Sequence, residues 1–136
     1  MRYIFIGVLF LSLALIVILA SDFLGLIFDR ASNDTMTRTR MWVVKRRILA
    51  YAHQNNRLPA SLAEIPVMPG YDNSIEDGWG RALHYEVSGN GTVTLSSLGR
   101  DGLPGGEGDD ADIVVKFATK TTDGRWSDPL VEWSRE

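Results

Sequence analysis

The sequence predicts an α+β protein, in which a long N-terminal helix, first transmembrane and then amphipathic, packs on a small antiparallel β-sheet. Three observations predict this fold class: an apolar opening segment, a stretch with helical apolar periodicity, and β-forming segments separated by glycine turns. A chain of 136 residues has the length of one domain. We therefore divide it into an anchor, residues 1–28, and one α+β head, residues 29–136.

The opening segment is apolar enough to cross a membrane. Residues 3–20 contain no charged side chain, and after Asp22 the apolar run resumes over residues 23–28. A bilayer core of about 30 Å needs about 20 such residues in a helix. We therefore predict a single-pass transmembrane helix. The sequence leaves one alternative open, a cleaved signal peptide with Arg2 as its basic start and Ala20 before the cut.

An amphipathic helix is predicted next, from Thr35 to Asn56. Apolar residues recur there at steps of three and four and form one stripe, namely Met41, Val44, Ile48, Tyr51 and Ala52. The helix is expected to end at the asparagines because Pro59 follows. Ser61 and Glu64 then match a helix capping box, which predicts one further helical turn.

Basic residues surround the apolar stripe, namely Arg38, Arg40, Lys45, Arg46 and Arg47. Such a cluster is compatible with nucleic-acid or anionic-lipid binding. We interpret it as the solvated outer face of the helix, because the formal net charge of the chain is −3. Nucleic acid is therefore not an expected partner.

The second half of the chain predicts strands. Residues 82–87 and 92–95 favour β-structure around a Gly-Asn-Gly turn, which indicates a β-hairpin. A third strand is predicted at residues 113–117. A turn at residues 123–124 follows, and then an apolar closing flap that contains Trp126, Pro129 and Trp133.

The composition excludes several kinds of site. The chain has no cysteine, so disulfides, thiolate nucleophiles and cysteine-ligated metals are excluded. The two histidines, His53 and His84, have no second histidine at helical spacing, and we expect both at the surface or an edge. No pattern supplies the cleft that paired catalytic carboxylates need, so an enzyme is not predicted.

The loop before the third predicted strand is unusually acidic. Residues 97–112 hold five carboxylates and five glycines in sixteen positions, so the loop repels itself unless a cation enters. Calcium prefers six to eight oxygen ligands, which a glycine-rich loop can supply from carboxylates and main-chain carbonyls. The spacing matches neither an EF-hand nor a phosphate-binding loop. A calcium site and a solvated loop without ligand both remain open on composition alone.

Three motifs resemble the major, G-type pseudopilin of the bacterial type II secretion system. Residues 77–85, Asp-Gly-Trp-Gly-Arg-Ala-Leu-His-Tyr, are similar to the family's Asp-Pro-Trp-Gly-x-x-x-x-Tyr. Residues 97–102, Ser-Leu-Gly-Arg-Asp-Gly, resemble its Ser-Leu-Gly-x-Asp-Gly. Residues 105–113 resemble its Gly-Gly-x-Gly-x-x-Ala-Asp-Ile. Trp79 and Tyr85 match structural positions of the first motif, so we expect them in the core.

The resemblance implies a non-catalytic, membrane-anchored structural component of type II secretion or of a pilus-like assembly. It places the transmembrane helix in the bacterial inner membrane and the head in the periplasm, with other pseudopilin or secretion-system subunits as partners and no small-molecule substrate. It also implies Ca²⁺ in the glycine-rich loop. The ligands on matching positions are main-chain carbonyls and carboxylates, from Leu98, Leu103, Asp101, Asp110 and Asp112.

The family's N-terminal motif, Gly-Phe-Thr-Leu-x-Glu after a basic leader, is not matched. Gly7 is followed by Val-Leu-Phe-Leu and then by Ser12 at the position of the glutamate. The resemblance therefore covers the head and not the prepilin peptidase site. A second hypothesis follows from this difference, namely an envelope-tethered, calcium-stabilised binding or sensor module that reuses the pseudopilin head without assembling.

Overall fold

One long helix, α1, spans Asn33–Asn55 in the computed structural model, which describes residues 32–128. Ser32 caps its start, because the serine hydroxyl accepts a hydrogen bond from Thr35 N at 3.2 Å. Asn56 ends it in a left-handed conformation with a φ of 53°. The helix predicted from the apolar periodicity is confirmed to within two residues at each end.

Three strands form one antiparallel sheet in the order β1, β2, β3. They are β1 His84–Val87, β2 Thr92–Ser97 and β3 Ile113–Ala118. A tight turn closes the predicted hairpin, in which Gly91 N donates to Ser88 O at 2.9 Å. The α+β class, the hairpin and the third strand are therefore confirmed.

The first strand is shorter than predicted because the residues before it pair elsewhere. Ala82 forms an isolated bridge with Glu76, and Leu83 N donates to Ile75 O at 2.9 Å. Strand pairing with β2 begins only at His84. The chain before β1 is thus folded back on itself.

The core lies between one face of α1 and the inner face of the sheet. All five residues of the predicted helical stripe are buried. The central strand alternates, so that Val93 and Leu95 face inward and are fully buried, and Ile113 and Phe117 of β3 lie beside them. Trp79 and Tyr85 are only partly buried and pack on the margin of this cluster.

Two polar features differ from the sequence interpretation. Arg47, assigned to the solvated helix face, is only 4% exposed. The turn after α1 forms as a short 3₁₀ helix, Leu62–Glu64, but the Ser61 side chain makes no capping hydrogen bond. The Glu64 carboxylate instead accepts from the Tyr51 hydroxyl at 2.7 Å, a bond that lowers the pKa of Glu64. The capping-box interpretation is therefore wrong, although the helical turn itself forms.

The turn predicted at residues 123–124 is present. Lys120 and Trp126 form an isolated antiparallel bridge across it, and the Trp126 indole N–H donates to Asn56 Oδ1 at 2.7 Å. The first part of the predicted flap therefore returns toward the end of α1.

Several predicted features lie outside residues 32–128, the part that the structure describes. They are the transmembrane segment, residues 1–28, and the flap residues Pro129 and Trp133. Within the described part, no helix combines the length and apolar character that a membrane crossing requires.

Candidate metal centre

The acidic loop, residues 98–112, joins the adjacent ends of β2 and β3. The last residue of β2 pairs with the first residue of β3, so the loop leaves and rejoins the sheet at neighbouring positions. Two main-chain hydrogen bonds cross it. Arg100 N donates to Asp109 O at 2.8 Å, and Asp112 N donates to Gly105 O at 3.1 Å. The loop therefore satisfies some of its own backbone N–H and carbonyl groups with internal hydrogen bonds.

Two glycines let the loop close tightly around Asp110. A β-carbon at Gly99 would lie 2.6 Å from the Asp110 carbonyl oxygen, and one at Gly106 would lie 2.4 Å from the same atom. Both glycines have a positive φ, 64° and 83° respectively. A side chain at either position would force the backbone apart, so these glycines have a steric role in the closure.

The carboxylates of Asp101 and Asp112 are anchored to the same turn of the loop. Asp101 Oδ1 accepts from Leu103 N at 3.0 Å, and Asp112 Oδ2 accepts from Gly105 N at 3.1 Å. The second oxygen of each carboxylate accepts no hydrogen bond from any residue between 32 and 128. Two residues that lie at opposite ends of the loop are thus held beside one short segment.

The donor chemistry of the expected ligand set fits calcium. The carbonyl oxygens of Leu98 and Leu103 accept no main-chain hydrogen bond from the described residues. With the carboxylates of Asp101 and Asp112 they offer only oxygen atoms, which calcium prefers. Among those residues, no three side chains of His, Asp or Glu converge to hold a metal ion. The fit therefore depends on main-chain oxygens as well as on the two carboxylates.

The carboxylate of Asp110, the remaining expected ligand, faces Arg100. Arg100 Nε and Nη2 donate to the two Asp110 carboxylate oxygens at 2.8 and 2.9 Å. A third nitrogen, Nη1, lies 3.8 Å from Asp109 Oδ2. The hydrogen bond to Asp110 is the main cause that raises the pKa of Arg100 above its usual value. Asp110 is therefore oriented differently from the Asp101 and Asp112 pair.

A buried carboxylate outside the loop, Asp77, positions the start of the loop. Asp77 is 1% exposed. Its Oδ1 accepts from Trp79 N and Arg81 N, both at 2.9 Å, and its Oδ2 accepts from Ser97 Oγ at 2.7 Å. Ser97 is the last residue of β2, so Asp77 ties the segment before β1 to the base of the acidic loop. Its place in the Asp-x-Trp-Gly motif was the only sequence signal for this role.

The Arg81 side chain continues this connection into the loop. Its Nη1 donates to Gly99 O at 2.6 Å, and its Nη2 donates to Arg100 O. These carbonyls directly follow Leu98, whose own carbonyl is an expected ligand. Arg81 therefore fixes the main chain at the first turn of the loop, a role that no sequence spacing indicated.

Helix α1 contacts the same network. Gly78 N donates to Thr37 Oγ1 at 2.8 Å, and Arg40 Nη1 donates to Asp77 O at 2.7 Å. A β-carbon at Gly78 would lie 2.2 Å from Asn33 O, so only glycine allows this close approach. The acidic loop is thus positioned by contacts that run back to the helix.

The buried Arg47 also has a structural role. Its guanidinium donates to three carbonyls, those of Pro66 at 2.7 Å, Asn73 at 2.8 Å and Ile65 at 3.3 Å. Burial lowers the pKa of Arg47 below its usual value. The side chain holds the segment after the 3₁₀ turn against α1, and it is not part of a charged binding surface.

The fold and the loop define a class of small α+β heads in which a glycine-rich acidic loop is held at the end of an antiparallel sheet. The family described as type II secretion system (T2SS), protein G, matches residues 28–116. The chain belongs to this family, whose members are structural pseudopilin components of the secretion system. The resemblance inferred from the three motifs is confirmed.

One similar protein is the type II secretion system core protein G of Xanthomonas campestris pv. campestris. It is 27% identical over 124 residues, which cover 79% of this chain and 87% of the relative. The similarity therefore extends over most of both proteins.

Proposed function

We propose that this protein is a non-catalytic pseudopilin subunit of type II secretion, or of a related pilus-like assembly, with a head that Ca²⁺ stabilises through the loop of residues 98–112. Membership of the protein G family supports the role in secretion. The anchoring of Asp101 and Asp112 to one turn supports the calcium site. Other subunits of the secretion system are the proposed partners.

The proposed ligands are the carboxylates of Asp101 and Asp112 with the carbonyls of Leu98 and Leu103. A bound ion would supply positive charge to the two carboxylates and connect the two ends of the loop. An ion that binds the folded loop and not the unfolded chain stabilises the fold by about 2.7 kcal/mol at a hundredfold excess over its Kd. The role of calcium is therefore structural.

We expect calcium to raise the melting temperature of the full-length protein, purified in a non-ionic detergent, by about 10 °C over the value in chelator. Asp101→Asn and Asp112→Asn keep an oxygen that can accept the hydrogen bond from the loop amide, but they remove the anionic ligand. Each is expected to abolish most of the rise. Differential scanning calorimetry measures both quantities.

Glu86→Gln is the matched control, because it removes an exposed carboxylate on β1 and leaves the loop intact. It should retain the full rise in melting temperature. If the wild-type protein melts at the same temperature in calcium and in chelator, the calcium proposal is wrong.

We also propose that residues 1–28 anchor the chain in the inner membrane with the head in the periplasm. The uncharged run of residues 3–20 supports this proposal. A reporter that is active only in the periplasm, fused after Glu136, is expected to be active. Activity of a cytoplasm-specific reporter at the same junction would contradict the orientation.

A further inference from the structure

We infer that Arg100 is the internal cation of the acidic loop, and that it holds Asp110 out of the calcium coordination shell. The calcium part of this inference rests on the proposed function. The carboxylates of the loop form two groups: the arginine cluster, where Arg100 meets Asp109 and Asp110, and the ligand pair, Asp101 and Asp112, which accept from Leu103 N and Gly105 N. We assign Arg100 to the first group and the proposed calcium ion to the second.

The Arg100–Asp110 pair is bidentate. Two guanidinium nitrogens of Arg100 donate to the two carboxylate oxygens of Asp110, at 2.8 and 2.9 Å. Both oxygens are thereby occupied by donors that carry positive charge. A calcium ion that approached this carboxylate would meet the positive charge of the guanidinium, which disfavours coordination by Asp110. Asp101 and Asp112, by contrast, each keep one oxygen outside the hydrogen bonds of the described residues.

The main chain restrains both partners before the ion pair forms. Arg100 N donates to Asp109 O at 2.8 Å. The Asp110 carbonyl oxygen lies so close to Gly99 and Gly106 that a β-carbon at either glycine would clash with it. Exposed ion pairs usually contribute little, because two long side chains must be ordered in one geometry. Here the Arg100 and Asp110 side chains are 59% and 31% exposed, and the main chain of both residues is already restrained, so forming the pair costs side-chain entropy but little backbone entropy.

Charge balance supports the same division. The loop of residues 98–112 carries five carboxylates and one basic residue. Arg100 neutralises Asp110 and lies 3.8 Å from Asp109. One divalent cation balances the charges of Asp101 and Asp112, and the carboxylates of Glu107 and Asp109 are exposed to solvent. The Arg100–Asp110 pair therefore forms without calcium, and the proposed calcium ion acts on Asp101 and Asp112.

The test is a double-mutant cycle, measured by calorimetry on the full-length protein in detergent, in chelator and in excess calcium. In chelator, Arg100→Gln and Asp110→Asn are each expected to lower the melting temperature by a few degrees. The double variant should melt no lower than the single variants, because either change already breaks the pair. In calcium, Asp110→Asn should keep the full wild-type rise in melting temperature.

Two results would overturn the inference. Additive losses in chelator would show that Arg100 and Asp110 do not act as a pair. Loss of the calcium-dependent rise in Asp110→Asn would show that Asp110 is a ligand.

The matched control is the ion pair of Asp34 and Arg38 on α1, whose Nε and Oδ2 atoms lie 2.9 Å apart. Asp34→Asn should leave the calcium-dependent rise unchanged. Absence of any rise in the wild-type protein would overturn the calcium proposal alone, because the cycle in chelator decides separately whether Arg100 and Asp110 are coupled.

Discussion

The segment around Asp77 and the acidic loop both hold carboxylates against main-chain N–H groups, but they do so in opposite surroundings. Asp77 is almost fully buried, and its two carboxylate oxygens accept three hydrogen bonds from the protein. Asp101 and Asp112 are exposed, and the carboxylate of each accepts one hydrogen bond from a main-chain N–H group. The buried carboxylate is satisfied by the fold, whereas the exposed pair retains capacity for an external cation.

The difference shows which charges determine the fold and which are available to a ligand. A buried carboxylate without partners would be very costly, so Asp77 persists only with its complete set of donors. An exposed carboxylate is hydrated at little cost, and it can exchange water for a metal ion. The buried carboxylate holds the head together, whereas the exposed pair would make the stability of the head depend on calcium if the proposed site binds it.

The largest effect is expected at the buried side of this comparison. Asp77→Ala leaves the amides of Trp79 and Arg81 and the hydroxyl of Ser97 without their acceptor. A buried polar group that loses its partner costs about 1–3 kcal/mol, and here the Ser97 hydroxyl is buried while the two amide bonds are partly buried, so we expect a total loss of about 3 kcal/mol in the free energy of unfolding. Urea denaturation followed by tryptophan fluorescence measures it.

Glu86→Ala is the control for that substitution, because it removes an exposed carboxylate from β1. It should change the free energy of unfolding by no more than about 0.5 kcal/mol. If Asp77→Ala is as mild as Glu86→Ala, the buried network does not hold the head together as described.

The smallest effect concerns Asp123, an exposed carboxylate that has internal partners. Hydrogen bonds from Thr121 and Arg125 lower the pKa of Asp123 from 3.8 to about 2. Because its pKa is lower in the folded protein, Asp123 stabilises the fold above about pH 4, and this contribution is lost as the pH falls toward 2. Thr121→Val should raise the pKa of Asp123, as measured by NMR titration of its carboxyl carbon.

The same titration sharpens the comparison between carboxylates with internal partners and the ligand pair, Asp101 and Asp112. Adding calcium should leave the titration of Asp123 unchanged, because its partners are part of the protein. An Asp123 pKa near 3.8 in the wild-type protein would contradict the hydrogen bonds described at this turn.

Regular structure was largely predictable from local patterns. Apolar steps of three and four identified α1, and the Gly-Asn-Gly turn identified the hairpin, because both signals lie within a few consecutive residues. The capping box after α1 failed for a tertiary reason. The Glu64 carboxylate accepts a hydrogen bond from the hydroxyl of Tyr51, and Tyr51 belongs to the preceding helix, outside any local motif.

The candidate site was predictable only in part. Its position and acidic composition are visible in the sequence, and Asp101 and Asp112 were expected from the family motifs. The contribution of Arg81 was not, because its partners Gly99 and Arg100 are far from it along the chain. Arg47 was misassigned for a related reason, since helical periodicity gives the direction of a side chain but not the carbonyls that surround it.

The sequence by itself determined the helix, the hairpin and the acidic character of the loop, since these depend on side-chain periodicity, turn chemistry and local charge. Only the tertiary structure decided which charged groups are satisfied within the protein. Asp77 and Arg47 are buried with internal partners, Asp110 faces Arg100, and Asp101 and Asp112 share one turn. These pairings follow from how distant segments pack together, and that information is not present in any short stretch of the chain.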